Sequence, residues 1–147
     1  MPGPEHAMLK KLEGEWAAKL LGPNGEEIAT GATTYKMQLG GLWLASHFKA
    51  EMFGQLFEGR GYDGYDEKSG KFQSVWVDSM TAKPTLFEGT YDKAKKTMTM
   101  KGKAADGRTL KSVTHFKNDD FFSFAMYIIG DGGAEEKMLA TEYTRKK

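Results

Sequence analysis

The sequence of 147 residues contains no cysteine. This absence excludes disulfide bonds, thiolate metal sites and a cysteine nucleophile. The sequence also has no apolar run near the ~20 residues that a membrane-spanning helix requires. The first residues, Met-Pro-Gly-Pro-Glu-His, lack the basic region and apolar stretch of a signal peptide. We therefore expect no membrane span, no signal peptide and a cytoplasmic location.

Neither sign of charge dominates the chain, which has 21 Lys and Arg residues and 20 Asp and Glu residues. Because nucleic-acid binding requires a basic surface, this balance argues against a nucleic-acid partner. A phosphate-binding Gly-x-x-x-x-Gly-Lys-Ser/Thr motif and a Gly-x-Ser-x-Gly nucleophile motif are both missing. We predict no cofactor, no metal and no catalytic residue from such motifs, and leave a homodimer open.

The sequence is instead rich in strand periodicity. Its length corresponds to a single domain over residues 1–147. Residues 1–13 are predicted to form an arm and a short helix, and from residue 14 onward apolar and polar residues alternate as in half-buried strands. Strands are predicted at Gly14–Leu21, Ile28–Leu39, Leu42–Met52, Leu56–Tyr65, Lys71–Ser79, Thr85–Tyr91, Thr97–Lys103, Thr109–Lys117, Phe121–Ile129 and Lys137–Arg145.

About ten strands joined by short turns leave no room for crossover helices, so we predict antiparallel pairing. Closure into a barrel would remove the exposed strand edges that an open sheet presents. The predicted fold is therefore all-β, a ten-stranded antiparallel up-and-down β-barrel with a short N-terminal helix. A β-sandwich is the alternative.

Gly14-x-Trp16 on the first strand, together with Arg145 on the last, resembles the signature of the lipocalin-like (calycin) superfamily. The resemblance implies a lipocalin or fatty-acid-binding-protein-like barrel in which Gly14, Trp16 and Arg145 form a structural closure at the base. First and last strands adjoin in a closed barrel, and a guanidinium stacks well on an indole. A functional site is then expected at the opposite mouth or in the cavity above the base.

An ordered set of motifs over nearly the whole chain is similar to domain-of-unknown-function family 1579, a bacterial family. The motifs are the run from Pro4-Glu5-His6 to Gly14-Glu15-Trp16, then Met37-x-Leu39-Gly40-Gly41, Phe57-Glu58-Gly59, Gly64-Tyr65-Asp66, Trp76-Val77-Asp78-Ser79-Met80, Glu88-Gly89-Thr90-Tyr91-Asp92, Met126-Tyr127 and Tyr143-Thr144-Arg145-Lys146-Lys147. The family has no assigned activity, so the resemblance does not indicate what the protein does. The resemblance does imply an acidic residue before the Met-Tyr pair, where this chain has Ala125; if that acid lines a pocket, this chain lacks one polar contact.

Trp76 and Asp78 are the most informative pair for function, because residues two apart on a strand share a face. If that face is inward, an indole and a carboxylate line a cavity, and a buried carboxylate needs a partner. The alternative is that Asp78 ends its strand and accepts hydrogen bonds from the turn backbone near Ser79.

Phenylalanine and methionine residues on the other strands supply the apolar part of the candidate site. Methionine adapts to irregular shapes, and such side chains can line a ligand cavity. The alternative is that they fill the core, since the residual space in a barrel decides whether a ligand fits. The predicted ligand-binding residues are Trp76, Asp78, Phe48, Phe87, Met100, Phe124 and Tyr143.

Three functions compete. The favoured one is non-catalytic binding of a small apolar or amphipathic molecule in the barrel. The second is a haem-binding, nitrobindin-like barrel with reactive-nitrogen chemistry, which needs an inward histidine. His47 and His115 alternate with lysines and are predicted to face outward, and His6 lies in the arm. The third is an enzyme that uses Asp78 as acid or base.

Overall fold

Ten antiparallel strands close into a barrel in the computed structural model, which describes residues 2–147. Strands adjacent in sequence pair with each other, and the first strand pairs with the last. The elements are α1 (Pro4–Lys10), β1 (Gly14–Leu21), β2 (Glu27–Gln38), β3 (Trp43–Met52), β4 (Gln55–Asp66), β5 (Lys71–Asp78), β6 (Thr81–Asp92), β7 (Thr97–Lys103), β8 (Thr109–Asn118), β9 (Phe121–Ile129), a 3-10 turn (Asp131–Gly133) and β10 (Glu135–Arg145). The predicted all-β barrel with a short N-terminal helix is confirmed, and the sandwich alternative is wrong.

Period-two alternation determines which side chains enter the barrel. On β1, Trp16, Ala18 and Leu20 are buried, whereas the residues between them are exposed. Directly paired residues lie on the same side of a sheet, so the pairing register identifies the inward residues of each neighbouring strand. Trp16 pairs with Thr33 on β2, and Thr33 pairs with Phe48 on β3.

Two strands, β6 and β10, begin at least two residues earlier than the alternation predicts. β6 begins at Thr81 rather than Thr85 and includes Pro84, which has no N–H to donate to a ladder. The register with β5 shifts between Trp76 and Asp78, and this irregularity accommodates the proline. β10 begins at residue 135 rather than 137, and its register with β9 also shifts near its start.

The helix and the chain termini define one end of the barrel, here called the helix end. β1 begins just after α1, so the turns after β2, β4, β6 and β8 lie at the helix end. The turns after β1, β3, β5, β7 and β9 lie at the opposite end, here called the far end. No helix within residues 2–147 is long and apolar enough to cross a membrane.

Trp16 and Arg145 face each other across the β1–β10 seam at the helix end. The Arg145 guanidinium lies 4.4 Å from the centroid of the Trp16 ring, and its Nη1 donates to the Glu13 carbonyl at 2.6 Å. Gly14 adopts a φ of +124°, and a Cβ there would lie 3.1 Å from Arg145 Nη1. A glycine two residues before the tryptophan therefore suits both the backbone and the approach of the guanidinium.

The interior contains two hydrophobic clusters. The helix-end cluster includes Leu9 of α1 and is built from Leu9, Leu44, Phe72, Phe87, Met98 and Met100. The second cluster consists of Ala18, Leu20, Phe48 and Ala50, with Phe57, Trp76 and Tyr143 among the partly buried side chains packed against it. The buried ring of Phe122 joins their edges, because it contacts Tyr35 and Phe116 beside the helix-end cluster and Tyr143 beside the second.

Candidate functional site

All the residues predicted to bind a ligand occupy inward positions of the ladder. Representative pairings are Trp76 with Gly61, Phe48 with Gly59, and Phe87 with Ser74. The inward set is Phe48, Trp76, Asp78, Phe87, Met100, Phe124 and Tyr143. Their role in binding stays a prediction, while their shared direction follows from the register.

The structure brings only some of these side chains together. Phe48, Trp76 and Tyr143 belong to the second cluster. Phe87 and Met100 pack instead in the helix-end cluster, beside the apolar face of α1. A single ligand in contact with all of them would have to extend between the two clusters.

The Asp78 carboxylate accepts hydrogen bonds from the turn backbone, as one of the two alternatives from the sequence expects, and from the Trp76 indole. The Trp76 indole Nε1 donates to Asp78 Oδ2 at 2.8 Å, and the Met80 backbone N–H donates to Asp78 Oδ1 at 2.8 Å. Asp78 thus ends β5 at the far end and holds the turn, while it also fixes the orientation of the indole. Because both oxygens accept hydrogen bonds, this carboxylate is arranged to position Trp76.

Glycines of β4 make room for the Trp76 ring. A Cβ on Gly59 would overlap the six-membered part of the indole, and a Cβ on Gly61 would lie 3.0 Å from Trp76 Cε3. The ring therefore lies against bare backbone. This contact also identifies the inward face of the glycine-rich strand as its odd-numbered residues.

Gly59→Ala is expected to lower the free energy of unfolding by about 1–3 kcal/mol, because the added methyl group forces Trp76 out of its place. Urea unfolding followed by circular dichroism measures the loss. Gly130→Ala is the matched control: its Cβ would lie 3.8 Å from the nearest atom, and no loss is expected. Equal stability of Gly59→Ala and the wild type would contradict the observed packing.

Asp63 is an interior carboxyl that sequence reasoning missed. It faces inward from β4 and pairs with Leu44 on β3 and Ser74 on β5. Burial raises the pKa of Asp63 from 3.8 to about 6, against an opposing hydrogen-bond contribution from Ser74. The alternation that starts at Phe57 places Asp63 on the same face. That face could not be recognised as inward from the sequence, because Gly59 and Gly61 on it have no side chains.

Two tyrosines approach the same carboxyl from other strands. Burial, then the charge of Tyr143 and then that of Asp63 raise the pKa of Tyr35 well above its ordinary value. Burial is likewise the main cause that raises the pKa of Tyr143, with a smaller contribution from Asp63. Asp63, Ser74, Tyr35 and Tyr143 therefore form one group, here called the Asp63 cluster, at the meeting point of β2, β4, β5 and β10.

Some side chains in and around the Asp63 cluster are only partly buried. Asp63, Ser74, Trp76 and Phe124 point inward, yet each keeps part of its surface accessible. Within residues 2–147, no fully enclosed side-chain nitrogen or oxygen lacks a hydrogen-bond partner. Interior polar groups are therefore either hydrogen bonded or adjacent to space that water or a ligand can occupy.

The histidines lie away from this interior. His47 and His115 occupy outward positions, and His47 hydrogen bonds to Glu58 on the neighbouring strand. His6 is buried in α1, where its Nδ1 accepts the Gly3 N–H at 3.0 Å. The strands thus supply no inward imidazole as a haem ligand. In the described part of the chain, no cluster of three His, Cys, Asp or Glu residues is placed to hold a metal ion.

Two depressions flank α1 on the outside of the barrel. One, of about 200 Å³, is lined by His6, Leu42, Trp43, Tyr65 and Glu67. The other, of about 260 Å³, is lined by Pro2, Gly3, His6, Ala7, Lys10, Met37 and Gly41. Both are open at the helix end and neither includes the Asp63 cluster, so they are a separate feature from the interior.

A closed ten-stranded antiparallel barrel with a short N-terminal helix defines a lipocalin-like protein. The chain belongs to the family described as "Protein of unknown function (DUF1579)", whose model matches residues 1–145. No curated protein matches the sequence.

Two solved structures are similar in fold. Rv2717c from M. tuberculosis superimposes with a TM-score of 0.72 at 16% identity, over 100% of both chains. The S-type phycobiliprotein lyase CPES from Guillardia theta superimposes with a TM-score of 0.64 at 6% identity, over 97% of this chain and 93% of that one. At these identities the likeness concerns the fold alone.

The family resemblance raised the question of whether Ala125 stands in place of a pocket acid. Ala125 pairs with Val113 and Ala140 on the outward face of β9, whereas Phe124 and Met126 face inward. An acidic side chain at this position would therefore point away from the interior. Alanine at position 125 therefore removes no polar group from the interior.

Proposed function

We propose that the protein binds a small, largely apolar molecule inside its barrel and catalyses no reaction on it. The observation that carries the proposal is that three inward aromatic side chains, Trp76, Phe124 and Tyr143, keep accessible surface near a few polar groups. Ligand sites have this composition: mostly apolar walls, with a small number of polar groups that fix orientation.

The far-end wall of this interior is built before any ligand arrives. Asp78 holds the Trp76 indole by a hydrogen bond, and Gly59 and Gly61 let the ring lie against the backbone. A wall fixed in this way loses little conformational entropy on binding, which favours affinity. The barrel fold shared with a protein named as a phycobiliprotein lyase is compatible with the proposal at the level of fold.

The non-catalytic form of the proposal is supported by the placement of the candidate chemical groups. Both Asp78 oxygens are engaged in local hydrogen bonds, which leaves this carboxylate poorly placed to exchange a proton with a substrate. The strand histidines face outward. Neither the acid–base mechanism nor axial ligation of haem has a specific observation in its favour.

Native mass spectrometry of protein purified without organic solvent tests for a resident ligand. We expect an additional mass that is released on collisional activation. In parallel, the neutral apolar dye N-phenyl-1-naphthylamine should bind saturably at one molecule per chain, with enhanced emission. Absence of both a released mass and saturable dye binding would overturn the proposed function.

Tryptophan variants locate the bound dye. Trp76→Phe is expected to weaken dye binding by about three- to tenfold, since it removes part of the aromatic wall and its tether to Asp78. Trp43→Phe is the matched control, because Trp43 faces outward over Gly64 and lines the depression beside α1. A loss of affinity in Trp43→Phe alone would place the dye beside the helix and contradict an interior site.

A further inference from the structure

We infer that the interior ligand carries a protonated amine on an apolar body and that the Asp63 carboxylate binds this amine. The inference rests on the proposed function, because it names the chemical class of the molecule bound in the same interior. It is carried by the position of one carboxyl among aromatic, hydroxyl and apolar side chains.

Asp63 faces the interior from the helix-end half of β4, between Ser74 on one neighbouring strand and Leu44 on the other. Tyr35 and Tyr143 complete the surroundings from β2 and β10. A carboxylate accepts the N–H bonds of an ammonium group, and serine and tyrosine hydroxyl oxygens can accept them as well. The cluster thus offers several kinds of contact that favour one positive charge.

No basic side chain within residues 2–147 forms an ion pair with Asp63. The ion pairs of the structure involve the surface carboxylates of Glu58, Glu88, Asp106, Asp120 and Glu135. Arg145 is at the helix end, where its guanidinium covers Trp16 and donates to backbone carbonyls. A buried carboxylate without a cation is costly, and a cationic ligand offsets that cost.

The same arrangement disfavours an acidic ligand. A carboxylate or phosphate near Asp63 would meet a like charge in a region of low dielectric constant, where repulsion is strong. The inward side chains next to Asp63 along the ladder are neutral, namely Leu44, Ser46, Ser74 and Phe87. The interior therefore discriminates by charge in favour of an amine over a fatty acid of the same length.

Competition against N-phenyl-1-naphthylamine at pH 8 tests this inference with three probes of equal chain length: decylamine, 1-decanol and decanoate. All are used below their aggregation concentrations. Decylamine should displace the dye at a concentration about tenfold or more below that of decanol, and decanoate should be the weakest competitor. In Asp63→Asn, the concentration of decylamine that displaces the dye should lie within about twofold of the concentration of decanol that does so.

Asp66→Asn is the matched control, because Asp66 lies on the same strand but in an outward turn, where it accepts the Lys68 N–H at 3.1 Å. It should keep the preference for the amine. If Asp63→Asn does not fold, the inference is decided in the wild type, by the ratio of the displacing concentrations of decylamine and decanol.

Dye binding without a preference for the amine, or with a preference that survives Asp63→Asn, overturns the inference and leaves the proposed function intact. If the dye does not bind, native mass spectrometry decides: absence of a released mass overturns the proposed function and this inference with it, and a released mass that is not an amine overturns the inference alone.

Discussion

Trp16→Ala is expected to lower the free energy of unfolding by about 3–5 kcal/mol, the usual cost of truncating a large core aromatic side chain. Trp16 is 1% exposed and contacts the edge of the Phe122 ring, with 4.8 Å between the ring centroids. Its loss leaves a void between β1 and β9 that the surrounding rings cannot close without moving.

The same indole holds the N-terminal segment to the barrel. Trp16 Nε1 donates to the Leu12 carbonyl at 2.8 Å, and Arg145 Nη2 donates to the Lys11 carbonyl at 2.7 Å. Removal of the ring therefore takes away both the hydrogen bond and the surface on which the guanidinium lies. We expect faster proteolysis in the segment between α1 and β1 of Trp16→Ala, in addition to the global loss.

Urea unfolding monitored by far-ultraviolet circular dichroism measures the effect of Trp16→Ala. Trp43→Ala is the control, because it removes the same side chain from the outer surface, where Trp43 is only partly buried. We expect the control to lose less than half as much stability. If the two variants lose the same amount, the closure of the helix end does not depend on Trp16.

Local patterns were sufficient to predict much of this fold. Alternation on β1 and the turn residues between strands predicted the number of strands, and the resemblance to the lipocalin-like superfamily implied that Arg145 lies near Trp16, as the pairing of first and last strands confirms. Such features depend on residues close in sequence, or on the pairing of the first strand with the last in a closed barrel. The start of β6 was missed because its first residues are paired across a register shift, and a shift leaves no trace in the alternation.

Depth in the barrel was the property that sequence did not reveal. Asp78 and Asp63 both face inward, but Asp78 ends its strand and binds the turn backbone, whereas Asp63 lies among buried tyrosines. Alternation assigns a side chain to a face and says nothing of its height along the barrel axis. That height depends on strand tilt and stagger, which are properties of the closed sheet.

Separation of the apolar residues into two clusters was hidden for the same reason. Phe48 and Phe87 have similar local patterns, but one packs near Leu20 and the other near Leu9. The predicted lining set was therefore right about direction and did not indicate which members lie together. The surroundings of Trp76 left a partial trace in the sequence. Gly59 and Gly61 indicate that a bulky side chain lies against β4, but only the strand pairing identifies that side chain as Trp76.

The Asp63 carboxyl is expected to make the protein less stable as the pH rises from about 4 to about 7. Its pKa is raised from 3.8 to about 6 in the folded state, so the folded protein binds this proton more tightly than the unfolded chain does. Stability falls with pH wherever the folded state holds more protons. At about 1.4 kcal/mol for each tenfold change in proton affinity, the total loss is about 3 kcal/mol.

Surface carboxylates act in the opposite direction. Hydrogen bonds lower the pKa values of Glu58, Asp66 and Asp106, so their contributions are present at neutral pH and are lost as the pH falls. The pH profile of the wild type therefore mixes two trends. A comparison with Asp63→Asn isolates the interior group, because the surface contributions are common to both proteins.

Urea unfolding of the wild type and Asp63→Asn between pH 4 and pH 8 measures the difference. We expect the stability of the wild type relative to the variant to fall by about 2–2.5 kcal/mol over this range, with half of the total loss reached near pH ~5, between the unfolded and folded pKa values. Asp66→Asn should show no such fall, because hydrogen bonds to Ser69 and Lys68 lower the pKa of that carboxyl. Parallel curves for the wild type and Asp63→Asn would mean that Asp63 is well solvated in the folded protein. The description of an enclosed interior carboxyl would then be wrong.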